Sequence, residues 1–113
     1  MQIKFLATGR AFDYTINGET VNGFDLSVIE HGGKFIGSEE TREAGIRNAE
    51  RDEAGELWVT LCQAPPVTKI IRGVEMREGD WRESDWIDAA NYDPETLYIV
   101  DVTPGGASAP LGE

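Results

Sequence analysis

Glu56-Leu57-Trp58-Val59-Thr60-Leu61-Cys62 alternates as a β-strand does, with Leu57, Val59 and Leu61 on one face and Trp58, Thr60 and Cys62 on the other. Both faces carry bulk. One face suits a core, and the other leaves a tryptophan for a second layer or a partner. The cluster Asp52-Glu53-Ala54-Gly55 reads as the turn before this strand, and Pro65-Pro66 ends pairing after it because proline supplies no amide hydrogen.

Working outward from that strand, residues 2–8 place Ile3 and Phe5 in phase, and residues 11–16 do the same for Phe12, Tyr14 and Ile16. The two runs read as a hairpin interrupted at Gly9-Arg10. Asn17-Gly18 and Asn22-Gly23 are two-residue turn signals around a short strand Glu19-Thr20-Val21, and residues 24–29 alternate as a further extended segment. Ser38 offers an N-cap to a short helix with acidic residues in its first turn, closed by Gly45. Residues 67–74 suggest one strand centred on Ile70-Ile71, and residues 96–102 a closing strand after the Asp93-Pro94 turn. Residues 80–90 fit a helix or an anchored loop equally well.

The expected fold is mainly β, or α+β with one short helix. It is a small, mostly antiparallel sandwich or barrel of about six or seven short strands. At 113 residues the chain suits one compact domain, residues 1–103, followed by a flexible tail, residues 104–113, rich in glycine, alanine and proline.

Charge narrows the function classes. The formal net charge is −11, a field that disfavours direct binding to nucleic acid or to anionic membrane surfaces. Residues 73–113 hold ten acidic against two basic residues, net −8. No apolar run approaches the roughly 20 residues of a membrane span, and the start MQIKFLATGR lacks the apolar core of a secretory signal. A soluble intracellular product is expected.

Cys62 is the only cysteine and His31 the only histidine, so a disulfide framework and a multi-cysteine metal site are ruled out. No local signature joins the two as nucleophile and base. The carboxylates near Trp81 and Trp86 have no spacing that marks an acid–base pair or a calcium loop, and no phosphate-binding glycine motif is present. No catalytic, cofactor or metal residues are therefore assigned, and an enzyme is not expected.

What stands out is aromatic. Trp81, Trp86 and Tyr92 lie among Asp80, Glu83, Asp85 and Asp88, and together with Trp58 they form the candidate protein-interaction set. An edge strand or the Trp58 face also admits a homo-oligomer. The same acids allow an alternative, an acidic decoy that inhibits a nucleic-acid-binding protein.

Two segments carry a resemblance to known proteins. Ile16-Asn17-Gly18-Glu19-Thr20-Val21 followed by Phe24-Asp25-Leu26-Ser27, and later Arg51 through Leu61 ending near Pro65-Pro66, resemble short uncharacterised proteins encoded in tail-gene regions of bacteriophages and prophages. The resemblance implies a phage or prophage accessory protein, tail-associated or active in assembly, that works through protein–protein contacts in the cytoplasm of a bacterial host or in a phage particle; under the decoy alternative the target would be a host protein. It implies no catalytic residues, and it does not extend to residues 79–92.

Overall fold

The computed structural model describes residues 1–102; the tail expected at residues 104–113 lies outside them. The fold is mainly β, with one short helix. Its centre is a five-stranded sheet built from β1 (Gln2–Ala7), β5 (Lys34–Ile36), β6 (Ile46–Arg51), β7 (Leu57–Gln63) and β11 (Ile87–Asp88), in the spatial order β11-β1-β7-β6-β5. β7 is the strand anticipated at residues 56–62. Leu57, Val59 and Leu61 are fully buried, where each contributes roughly 1.5–3 kcal/mol by leaving water.

β1 does not pair with residues 11–16, as expected for a hairpin. It runs parallel to β7 over six positions, from Gln2 opposite Trp58 to Ala7 opposite Gln63, and antiparallel to β11. Period-two burial shows that a strand exists but not what lies beside it. Residues 11–15 alternate in burial without becoming a strand, because side chains take their hydrogen bonds. Asn22 accepts from the Thr15 amide at 2.7 Å and donates to the carbonyls of Asp13 and Ala44. The Tyr14 hydroxyl accepts from the Cys62 amide at 2.8 Å and lies 2.9 Å from the Gly45 carbonyl.

Three further sheets are small. β2 (Ile16–Asn17), β3 (Thr20–Val21) and β4 (Phe24–Asp25) form a meander. Its first turn is Gly18-Glu19, one residue later than anticipated, since Asn17 pairs with Thr20. Its second turn is Asn22-Gly23, with φ of 49° and 85° as a type I′ turn requires. The strand expected across residues 24–29 stops at Asp25, whose carboxylate accepts from the Ser27 amide and starts a 3₁₀ turn over Leu26–Val28. Ser38 caps α1 (Glu39–Glu43) as read from the sequence.

The single strand expected at residues 67–74 is instead a hairpin. β8 (Lys69–Ile71) turns at Arg72-Gly73 into β9 (Val74–Met76), and these two strands pair only with each other. Residues 80–90 form neither a helix nor a plain loop: β10 (Trp81–Arg82), β11 and a 3₁₀ turn over Ala89–Asn91 follow one another. β12 (Val100–Asp101) pairs with β10. It is shorter than the closing strand anticipated because the Gln63 side-chain carbonyl takes the amides of Tyr98 and Ile99, at 2.7 and 3.1 Å.

The core lies on one face of the large sheet. Ile3, Phe5, Ile46, Leu57, Val59 and Leu61 meet Val21, Leu26 and Ile99 there. Beside them Phe5 stacks on Tyr98 at 5.1 Å and Tyr92 at 5.8 Å, with Tyr14 at 6.1 Å. Ser84 fastens the outer side of β1. Its hydroxyl accepts the Phe5 amide at 2.9 Å and its amide donates to the Phe5 carbonyl at 2.9 Å. At a second fixed point, Arg51 is buried at the end of β6. It donates to the carbonyls of Ile29 and Gly55 and forks onto both Glu19 carboxylate oxygens, at 2.8 and 3.1 Å.

Ser84→Ala leaves the buried Phe5 amide without its acceptor and should cost about 1–3 kcal/mol. A thermal melt should show the midpoint lowered by roughly 5 °C or more. The Arg51 hydrogen bond is the main cause that holds the Glu19 carboxyl below its ordinary value of 4.5. With the folded-state value the lower one, the unfolded chain takes up the proton first. The pair's contribution is therefore fully present above the ordinary, unfolded-chain value of 4.5 and is lost as pH falls through the lower folded-state value. Glu19→Gln should lower the melting midpoint at pH 7 by several degrees and bring that difference toward zero in acid; melts across the pH range check it.

Candidate functional site

On the outer face of the large sheet the strand register sets Trp58 beside Gln2 and Thr60 beside Lys4. Trp86 precedes β11 and lies over this surface. Its ring meets Trp58 edge-to-face, with centroids 5.1 Å apart at 85°. Lys4 places its ammonium 5.0 Å from the Trp86 ring centroid and 3.0 Å from the Glu83 carboxylate. The Trp58 indole N–H donates to Asp52 at 2.9 Å. That bond is the largest cause holding the Asp52 carboxyl below the usual range, ahead of the Glu56 amide. The result is a cation–aromatic platform in which Trp86 stays 39% exposed. It can bind through ring faces and edges, with the Trp58 indole N–H held by Asp52 and the Lys4 ammonium by Glu83.

The structure unites only part of the set read from the sequence. Trp58, Trp86 and Glu83 come together. Trp81 belongs elsewhere: it packs against the core cluster and donates its indole N–H to the Glu78 carbonyl at 3.2 Å. Tyr92 is half-buried in the aromatic layer around Phe5 and contributes nothing to the platform. Asp80 pairs with Arg82 at 3.1 Å, Asp88 accepts the Ala90 amide at 2.9 Å as a turn cap, and Asp85 is exposed. These acids were grouped by proximity in sequence; the short strands β10 and β11 turn them in different directions.

Lys4 and Asp52 were legible only as isolated charges, because the parallel register that brings Lys4 to Trp86 has no local signal. A second feature was missed for the same reason. With residues 67–74 folded back on themselves, Ile70, Ile71 and Val74 are 64%, 48% and 60% exposed on the β8–β9 arm. By cross-strand register Ile71 faces Val74 and Ile70 faces Glu75, so both sides of the arm carry an apolar side chain.

The chemistry-bearing residues do not converge. His31 lies beside Gly55, before the start of β7, and Cys62 lies at its far end. Seven residues of extended strand separate such ends by roughly 20 Å, so the two form no nucleophile–base pair. Burial pushes the Cys62 thiol above its ordinary value. Among the described residues no three His, Cys, Asp or Glu side chains gather as a metal site, and no helix is long and apolar enough to cross a membrane. No family model matches the chain, and no curated protein or solved structure shows significant similarity to it.

Trp86→Ala should leave the fold intact, cost about 1–2 kcal/mol and expose Trp58. Near-UV circular dichroism should lose the signal of the coupled indoles while the far-UV spectrum is unchanged.

Proposed function

We propose that this protein is a non-catalytic accessory protein of phage or prophage origin that acts by protein–protein contacts, with the β8–β9 arm as the inserting element and the Trp58–Trp86 platform as a supporting surface. The observation that carries this reading is the exposure of Ile70, Ile71 and Val74 on a ribbon hydrogen-bonded to no other sheet. An isolated two-stranded ribbon is marginal in water, and three large β-branched side chains left in solvent lose the free energy that burial would return. A neighbouring surface that receives the arm supplies both.

The arm is apolar on both sides, so it fits a groove rather than a flat face, and a second copy or a different assembly component can provide one. The phage or prophage setting rests on the resemblance carried by residues 16–27 and 51–66. The decoy alternative rests on net charge, and three of its four carboxylates are engaged internally, Asp80 by Arg82, Glu83 by Lys4 and Asp88 by the Ala90 amide.

The test combines Ile70→Ser, Ile71→Ser and Val74→Ser in one chain. In sedimentation velocity the wild type should associate as its concentration rises; the variant should keep the wild-type far-UV spectrum, lose that association, and fail to support particle assembly when supplied in place of the wild type. Assembly and association that proceed unchanged with the triple variant would remove the arm from the function.

A further inference from the structure

The chain has seven arginines although acids outnumber bases two to one. Five of them, Arg10, Arg42, Arg47, Arg77 and Arg82, line adjoining depressions around the C-terminal end of β1. Three of the five are matched by carboxylates: Arg10 by Glu43 at 3.1 Å, Arg77 by Glu75 at 3.3 Å and Arg82 by Asp80 at 3.1 Å. Among the described residues Arg42 and Arg47 have no carboxylate at ion-pair distance. Both line the same open depression of about 510 Å³, with Arg10, Phe12 and Cys62 among its other walls.

The backbone sets these guanidiniums in place. Arg47 is the extra residue of a bulge in β6, since Ile46 opposes Leu61 and Asn48 opposes Thr60. Bulges re-aim the side chain they carry. The Gly37 amide donates to the Arg47 carbonyl at 3.1 Å, and a Cβ at Gly37 would come within 2.8 Å of that oxygen, so the glycine lets the chain hold the bulge closely. Arg42 sits in the last turn of α1. Arg10 is fixed by the Glu43 carboxylate and carbonyl, with its guanidinium 4.8 Å from the Phe12 ring centroid.

The geometry points to a binding site for a phosphate-type dianion in this depression, with Arg42 and Arg47 balancing its charge and Arg10 forming the third side. Planar guanidinium forks match the oxygens of a phosphoryl group. A phosphomonoester carries about −1.5 to −2 at neutral pH, the charge that two unmatched arginines call for, whereas a single carboxylate leaves one unbalanced. Of the chain's overall −11, the carboxylate at the site itself, Glu43, is held by Arg10 at 3.1 Å, and charges beyond roughly 8 Å are screened at physiological salt. Burial raises the Cys62 thiol, ahead of an opposing hydrogen bond with Arg47, so among the described residues Arg47 has this buried thiol beside it and no carboxylate.

The test titrates the full chain with inorganic phosphate at constant ionic strength, followed by amide NMR. At pH 7.5 the shifts should saturate and centre on residues 8–10 and 42–47. Arg42→Gln and Arg47→Gln should each weaken binding about tenfold, while Arg72→Gln, on the β8–β9 turn, leaves it unchanged. Acetate should bind at least tenfold more weakly than phosphate. Moving to pH 5.5, where inorganic phosphate is almost wholly the monoanion, should weaken its binding several-fold. Phosphoserine separates the sources: tighter binding than inorganic phosphate assigns the site to an ester, and equal binding to the free ion. Shifts spread over all cationic residues, acetate binding as tight as phosphate, or saturation unaffected by both Arg42→Gln and Arg47→Gln would overturn the site. Arg42 is exposed on the helix surface, so its variant remains informative if the one at the bulge unfolds.

Discussion

The parallel seam between β1 and β7 organises the rest of the molecule. It sets Ile3 beside Val59 and Phe5 beside Leu61 on the inner face, and Gln2 beside Trp58 and Lys4 beside Thr60 on the outer. Because parallel neighbours cannot be joined by a tight turn, the intervening residues 8–56 must travel around the sheet, and they build the meander, α1, β5 and β6 on the way. The seam thereby fixes three surfaces at once. The inner face receives the aromatic layer around Phe5, the outer face receives Trp86 over Lys4, and the C-terminal end of β1 opens among the arginines.

Charge is handled locally, despite its imbalance along the chain. The buried Arg51 is satisfied by four acceptors, two of them on Glu19. The removal of one partner from such an arrangement is costly because the other charge stays out of water. On the surface, several acids of the last third serve as caps or partners: Asp88 caps a turn, Asp80 meets Arg82 and Glu83 meets Lys4. The acidity that dominates the composition is spread over small structural tasks, while the unmatched guanidiniums of Arg42 and Arg47 share one depression.

Apolar side chains left in solvent give the clearest functional direction. A 113-residue domain has a limited core, and the exposure of Ile70, Ile71 and Val74 on a two-stranded arm is the observation on which the proposed contact role rests. The Trp58–Trp86 platform differs in kind. Its Trp58 indole is bonded to Asp52 and its Lys4 ammonium to Glu83, so it offers mainly the area and shape of two rings.

Local chemistry made part of this legible in advance. The alternation of residues 57–62, the Ser38 cap and the Asn22-Gly23 turn each depend on neighbours within a few residues, and each was readable as such. Trp58 and Trp86 were readable as candidates because large aromatic side chains in polar surroundings need an explanation. Their partnership, and the separation of Trp81 and Tyr92 from it, was not readable.

By itself, then, the sequence determined that the chain is mainly β, where several strands and turns fall, and that no cysteine framework supports it. Tertiary structure alone decided which strands are neighbours, because period-two burial is the same whether the partner is parallel or antiparallel, near or far. It also decided the hairpin at Arg72-Gly73, the bulge at Arg47 and the shortened strand at residues 100–101. In each of these a left-handed turn, an extra residue or the Gln63 amide outweighed the local preference for extended chain.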